Sequence, residues 1–274
     1  MKSLLTSAAW IGLTASVAGL PLNAQLQNNT EKQMTCQNGG SDGDTARHCE
    51  IREQTVPAAG SLNIDAAENG GVSVKGWLQS QILVRARVEA SGDTAASAAS
   101  MASQVTVDSS GGQVRAIGPE AANNSWSVSY EVFVPQNTDL TLKAQNGGLT
   151  ISDVRGQIHF DAINGGVHLR RVAGDVSGAT VNGGIQVELT GTIWDGRQME
   201  VSTRNGGVTV AMPSYYSAHI QAETTSGRVQ SDFPVTMQGD LTPRRLDFAL
   251  GSGGPLIHVT TENGGVRLKR TESQ

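Results

Sequence analysis

Residues 146–188 read NGGLTISDVRGQIHFDAI, NGGVHLRRVAGDVSGATV and NGGIQVE in succession, and their reading decides the fold. Asn-Gly-Gly returns at Asn146, Asn164 and Asn182, two steps of equal length. Three places after each Asn stands Leu149, Val167 or Ile185, and five places after it Ile151, Leu169 or Val187. Between them lie Thr150, His168 and Gln186. Apolar, polar, apolar is the period of a strand with one buried face. Half-way along, Asp153-Val154-Arg155-Gly156 and Arg171-Val172-Ala173-Gly174 mark a second turn, followed by strand-like runs over 157–163 and 175–181. Two strands and two turns leave no room for a helical crossover. The pattern predicts an all-β fold, one coil of a β-solenoid per repeat.

Outward from this stretch the motif recurs at Asn69, Asn205 and Asn263, each time before a strand-like run. The step from Asn182 to Asn205 is longer than the two before it, and a similar step then reaches a degenerate copy, Ser226-Gly227-Arg228. About 18–23 residues per coil are therefore expected. The five extra residues of the longer step fall at Thr192–Gly196 and predict a protruding loop. In register, Leu149, Val167, Ile185 and Val208 should form one interior column, and Ile151, Leu169, Val187 and Val210 a second. Gly and Asn both tolerate positive φ, so Asn-Gly-Gly suits a type I′ turn, or, if coils stack, a ladder of Asn side chains. A phosphate-cradling loop needs a helix after the glycines. Here a strand follows.

The first half is less regular. Strand-like runs cover 61–66, 72–76, 82–90, 105–107, 113–117, 126–134 and 139–145. Ala-rich residues 93–104 predict one short helical insertion, with Asp93 near its start. At the N-terminus, Lys2, an apolar stretch from Leu4 to Leu22, and Ala24 before Gln25 read as a signal peptide over 1–24; a single membrane anchor is the alternative. No Cys follows the cut, which argues against a lipid anchor. Residues 25–54 form a segment with a disulfide loop, 55–270 the repeat domain and 271–274 a loose tail. Cys36 and Cys49 read as a disulfide of an exported protein. A metal site with His48 as third ligand is the alternative, but a fourth ligand is missing. Without Lys2 the chain has 19 basic and 25 acidic residues. This weak acidity argues against nucleic-acid binding.

No constellation identifies a reaction. His48, His159, His168, His219 and His258 share no ligand spacing. In the regular coils no two carboxylates stack, whereas Asp153 should lie over Arg171 and Arg170 over Glu188. Trp77, Trp194, Tyr215 and Tyr216 could form a sugar-stacking platform or pack in loops and core. No cofactor is expected.

The stretches CEIRE at 49–53, NGGVSVKGW at 69–77 and VSYEVFVP at 128–135, with the later Asn-Gly-Gly repeats, resemble the bacterial putative-adhesin family, domain of unknown function 4097. The resemblance spans roughly residues 36–270 and implies a right-handed, β-helix-like fold in an exported protein. It brings no catalytic residues. The expectation is a non-enzymatic cell-envelope protein of periplasm or cell surface, binding an envelope protein or glycan. The rivals are a carbohydrate-active β-helix lyase or hydrolase, and a periplasmic partner of a membrane protein.

Overall fold

Alternating side chains sort the chain into strands almost throughout. The computed structural model describes residues 34–36, 45–120, 126–234 and 244–271. The signal peptide, the residues of the disulfide loop between 37 and 44, Asn38 and the tail beyond 271 lie outside the described residues. The first part holds β1 (Ala46–Pro57), β2 (Ser61–Asp65), β3 (Val72–Trp77), β4 (Gln81–Gly92), α1 (Ala95–Gln104), β5 (Thr106–Asp108), β6 (Gln113–Ile117) and β7 (Trp126–Pro135). The middle holds β8 (Asp139–Asn146), β9 (Leu149–Ser152), β10 (Arg155–Asn164), β11 (Val167–Arg170), β12 (Ala173–Asn182), β13 (Ile185–Glu188), β14 (Gln198–Asn205) and β15 (Val208–Pro213). The last part holds β16 (Ala218–Ser226), β17 (Val229–Ser231), β18 (Arg245–Leu250), β19 (Leu256–Asn263) and β20 (Val266–Thr271).

These strands form two ten-stranded, mostly parallel sheets that share one apolar core. The first runs β1-β4-β7-β3-β9-β11-β13-β15-β20-β17, the second β18-β16-β19-β14-β12-β10-β8-β2-β6-β5. Each described Asn-Gly-Gly carries the chain from the second sheet to the first. Val167 lies between Leu149 and Ile185, and Leu169 between Ile151 and Val187. Val208 and Val210 extend the same two columns. All eight side chains are buried, the in-register core that the repeat predicts.

Antiparallel pairing is confined to the sheet ends: β1 with β4, β4 with β7, β5 with β6, and β16 with β18. At both ends the chain also leaves its linear order. The final unit, β19–β20, is inserted between β14–β15 and β16–β17. Asn263 therefore stacks beside Asn205, and Ser226 beyond it.

The helix starts close to Asp93, as expected, and Thr94 caps it: its hydroxyl accepts from the Ser97 N–H while the Ser97 side chain accepts from the Thr94 N–H. That reciprocal pair satisfies two groups that the helix leaves open. The stretch 192–196 does not simply protrude. Trp194 is buried in the core, and the Gly174 N–H donates to the Asp195 carbonyl at 2.7 Å. Ile193 beside it remains exposed. β1 is the strand that the repeat gives no hint of, and it runs through the expected boundary at 54–55.

Candidate functional site

The edge built from Asn-Gly-Gly is a ladder of side-chain amides. Asn164 Nδ2 donates to Asn146 Oδ1, Asn182 to Asn164 and Asn205 to Asn182, each at 2.8 Å. Asn263 donates to Asn205 at 2.9 Å, and Asn146 to Asn69 at 3.3 Å. The glycines are there for a different reason than conformational freedom. None of the described Asn-Gly-Gly glycines has positive φ. Instead, a Cβ on Gly147, Gly165, Gly183, Gly206 or Gly264 would overlap the carbonyl oxygen of the first glycine one layer below. The second glycine is less confined: a Cβ at Gly166 would meet its nearest atom at 3.6 Å. The degenerate copy keeps the confined position as Gly227 and replaces the other with Arg228.

A second column of hydrogen bonds backs this edge and escaped the sequence reading. Buried Thr180, Thr203, Thr261 and Thr224 donate to the carbonyls of Gly165, Gly183, Gly206 and Gly264 at 2.7–2.9 Å. The signal was available: a Thr stands two places before Asn182, Asn205, Asn263 and Ser226. Before Asn146 and Asn164 the position is Ala144 and Ala162.

Elsewhere, Cys36 and Cys49 are bonded, with Cα atoms 5.6 Å apart, and Cys49 is buried on β1. Trp194 and Tyr216 are core residues, and Trp77 packs on Phe133 with ring centroids 5.5 Å apart. Tyr215 alone of the four is well exposed, so no aromatic platform forms. Burial pushes the Tyr216 and Tyr130 hydroxyls well above the usual phenol range. His168 is exposed, as its column predicts. Among the described residues, no group of three or more His, Cys, Asp or Glu could hold a metal ion. No helix among them is long and apolar enough to cross a membrane.

The outer face of the second sheet carries an open groove of about 420 Å³ across β2, β8, β10 and β12. Asn63, Thr141, His159 and Ser177 cross it in register, one per strand. Parallel strands lie about 4.8 Å apart, so they form a regular polar row. His159 joins Ser177 Oγ at 3.1 Å and Asp161 Oδ2 at 3.2 Å. At the groove's end, Asp175 accepts from the Arg197 guanidinium and, at 2.9 Å, from its backbone N–H. Arg197 thereby holds the Asp175 carboxyl below the usual range. Asp139 accepts from the Gln157 N–H at 2.7 Å.

No family model matches the chain. No curated protein matches it either. Among solved structures, it is similar to a "putative cell adhesion protein" from Clostridium sporogenes, at 12% identity and a TM-score of 0.43, covering 82% of this chain and 100% of that one. It is also similar to a "putative adhesin" from Parabacteroides merdae, at 11% identity and TM-score 0.35, covering 83% and 97%. Another, from Bacteroides fragilis, has 8% identity and TM-score 0.31, covering 81% and 97%.

Asp139 and Asp175 flank Gln157 on one row, but both are committed as acceptors to backbone N–H groups. A general acid needs a carboxyl whose pKa is raised toward neutrality, and the shift at Asp175 runs the other way. His159, Ser177 and Asp161 form a Ser–His–Asp chain, yet the His and Asp side chains are half exposed. Water screening that freely weakens the polarisation such a relay depends on. The predicted pairs at the second turn are present too. Arg171 Nε meets Asp153 Oδ1 at 2.6 Å, and Arg170 Nε meets Glu188 Oε2 at 3.1 Å.

Proposed function

We propose that this chain is a non-enzymatic, exported β-solenoid of the bacterial cell envelope, an adhesin or scaffold that binds an envelope glycan or protein through the polar outer face of its second sheet. The observation that carries the reading is the groove across β2, β8, β10 and β12, with its in-register row of hydrogen-bonding side chains. Such a row offers donors and acceptors at a fixed spacing, which suits an extended, polar, repeating ligand. The Cys36–Cys49 bond supports an oxidising compartment. The adhesin name comes from the motif resemblance, and fold alone assigns no function.

The test is capture from an envelope fraction with crosslinking, comparing the protein with a Ser177→Arg variant. Ser177 faces the groove, so the substitution fills it without touching the core. Loss of the captured partner with an unchanged Tm supports the reading. Equal capture by both proteins removes the groove from it. Release of sugar fragments from envelope glycans by the protein, abolished by His159→Ala, would favour the hydrolase instead.

A further inference from the structure

We propose that Asn69-Gly70 is a self-modification site, at which the Asn69 amide converts to a carboxylate ahead of every other Asn-Gly-Gly among the described residues. The reaction is intramolecular deamidation. Gly70 is buried in the closed ladder, so its backbone nitrogen loses its proton to solvent only as the rung opens, and then bonds to Asn69 Cγ. The Cγ–Nδ2 bond breaks, and the nitrogen leaves as ammonia after taking up a proton. Water then opens the five-membered imide at either carbonyl, giving aspartate or isoaspartate. Water is the one co-reactant, and Asn69 is exposed to it.

The described motifs share one tripeptide and differ in how the ladder holds them. For the ring to close, the glycine N–H must leave its acceptor and the Asn side chain must leave the ladder. At Asn146, Asn164, Asn182 and Asn205 the following glycine donates to the next Asn carbonyl at 3.0–3.1 Å. Each of these side chains also accepts from the next Asn at 2.8–2.9 Å. Each donates at 2.8 Å as well, Asn146 to the Glu68 carbonyl. Asn69 is held by far less. The Gly70 N–H reaches the Asn146 carbonyl at 3.3 Å, and Asn69 Oδ1 accepts from Asn146 at 3.3 Å. Its own Nδ2 donates to no described residue.

A second feature explains the loose rung. Asp65 pairs with Lys143, and Asn69 with Asn146. Four steps on one strand therefore face three on the other, so the chain carries one surplus residue just before the rung. Ala67 absorbs it with φ of 53°, in the left-handed region. Such a bulge skews the local pairing. It also gives an isoaspartyl backbone, longer by one methylene, a place where registry is already relaxed. Because Asn69 accepts but does not donate in the ladder, an aspartate there forfeits no ladder bond. The same change at Asn164 would remove the bond to Asn146 Oδ1.

The test is peptide mapping by mass spectrometry after incubation of the folded protein in mildly alkaline buffer. Asn69 should convert about tenfold faster than Asn146, Asn164, Asn182 and Asn205, the ratio expected from roughly one hydrogen bond's difference in protection. Asn263, which donates to Asn205 but accepts from no described Asn, should fall between. In denaturant the six should convert at similar rates, since each reacting Asn precedes the same Gly-Gly. An interior Asn matching or leading Asn69 in the folded protein overturns the proposal. So does the same ranking in folded and unfolded protein.

Discussion

Between Asn146 and Glu188 the chain gains one layer with every repeat, and each strand pairs with the strand of the next repeat. Beyond Pro213 it does not. There β16–β17 forms the last layer, β18 turns back antiparallel on the outer side of β16, and β19–β20 fills the place between β14–β15 and β16–β17. The same strand–Asn-Gly-Gly–strand unit serves in both regions, so local sequence sets the shape of a layer but not its place in the stack. Position depends on the connection. In the middle a turn of a few residues can reach only the adjacent layer. After β17 the longer excursion, ending in β18, lets the chain return on the inner side.

Truncation after Leu250 tests this difference most severely. If stacking followed chain order, it would remove only a last layer and leave the rest near its original stability. With β19–β20 inside the stack, β16 and β17 lose their parallel neighbours, and β14 and β15 lose one each. Loss of hydrogen-exchange protection in β16, β17 and β18, together with a large fall in Tm, is the expected result. Protection retained in β16 would break the insertion topology.

That insertion was not legible in the sequence, because the full copy at Asn263 and the degenerate one at Ser226 each mark a turn before a strand, and neither marks its place in the stack. The interior columns were legible, since Val167 and Leu169 alternate with His168 at a period only a half-buried strand produces. The ladder was visible as one of two options. The glycines mislead: positive φ is the usual reason for Gly at a turn, and close approach between layers is a tertiary fact. β1 escaped because it carries no repeat and buries few of its side chains. Arg85 on β4 shows what it contributes. Burial opposes that charge, but the Glu53 and Glu131 carboxylates, at 2.7 and 3.1 Å, outweigh it and hold its pKa above the usual value. The groove was illegible because Thr141, His159 and Ser177 stand a full repeat apart in sequence and become neighbours only after stacking.

Within the regular region, Val167→Asp should cost roughly 4 kcal/mol or more, because it buries an unpaired charge. Gln186→Asp, on the outward column, should stay within about 0.5 kcal/mol. Equal loss of Tm would place both columns wrongly.

The two glycine positions separate packing from conformation. Gly165→Ala should cost about 2–4 kcal/mol, since backbone has to move to clear the Gly147 carbonyl. Gly166→Ala should be within about 1 kcal/mol of neutral, its Cβ meeting only ordinary contacts and the unfolded chain losing freedom. Denaturant unfolding of the pair decides it, and a reversed order would return the explanation to φ. The Thr column gives a smaller effect of the same kind. Thr203→Val keeps the shape but deprives the Gly183 carbonyl of its donor, at about 1 kcal/mol. Ala162→Thr supplies the missing donor in a lower layer and should recover part of that amount where the side chain fits.

The smallest effect concerns the turn where Asp153 and Arg171 pair across layers. Both residues adopt positive φ, 60° and 50°, which costs a residue with a Cβ about 1 kcal/mol relative to Gly. The ion pair is partly exposed, with side-chain exposures of 24% at Asp153 and 34% at Arg171, and so contributes no more than about 1 kcal/mol. Arg171→Ala loses the pair and keeps the strain, so it should destabilise by that amount. Arg171→Gly loses the pair and relieves the strain, so its net change should be near zero. High salt should narrow the gap between the wild type and the alanine variant and leave the glycine variant slightly the more stable, because it screens the ion pair while leaving φ untouched. A glycine variant as damaged as the alanine one would show that the pair, and not the backbone, sets the cost of this turn.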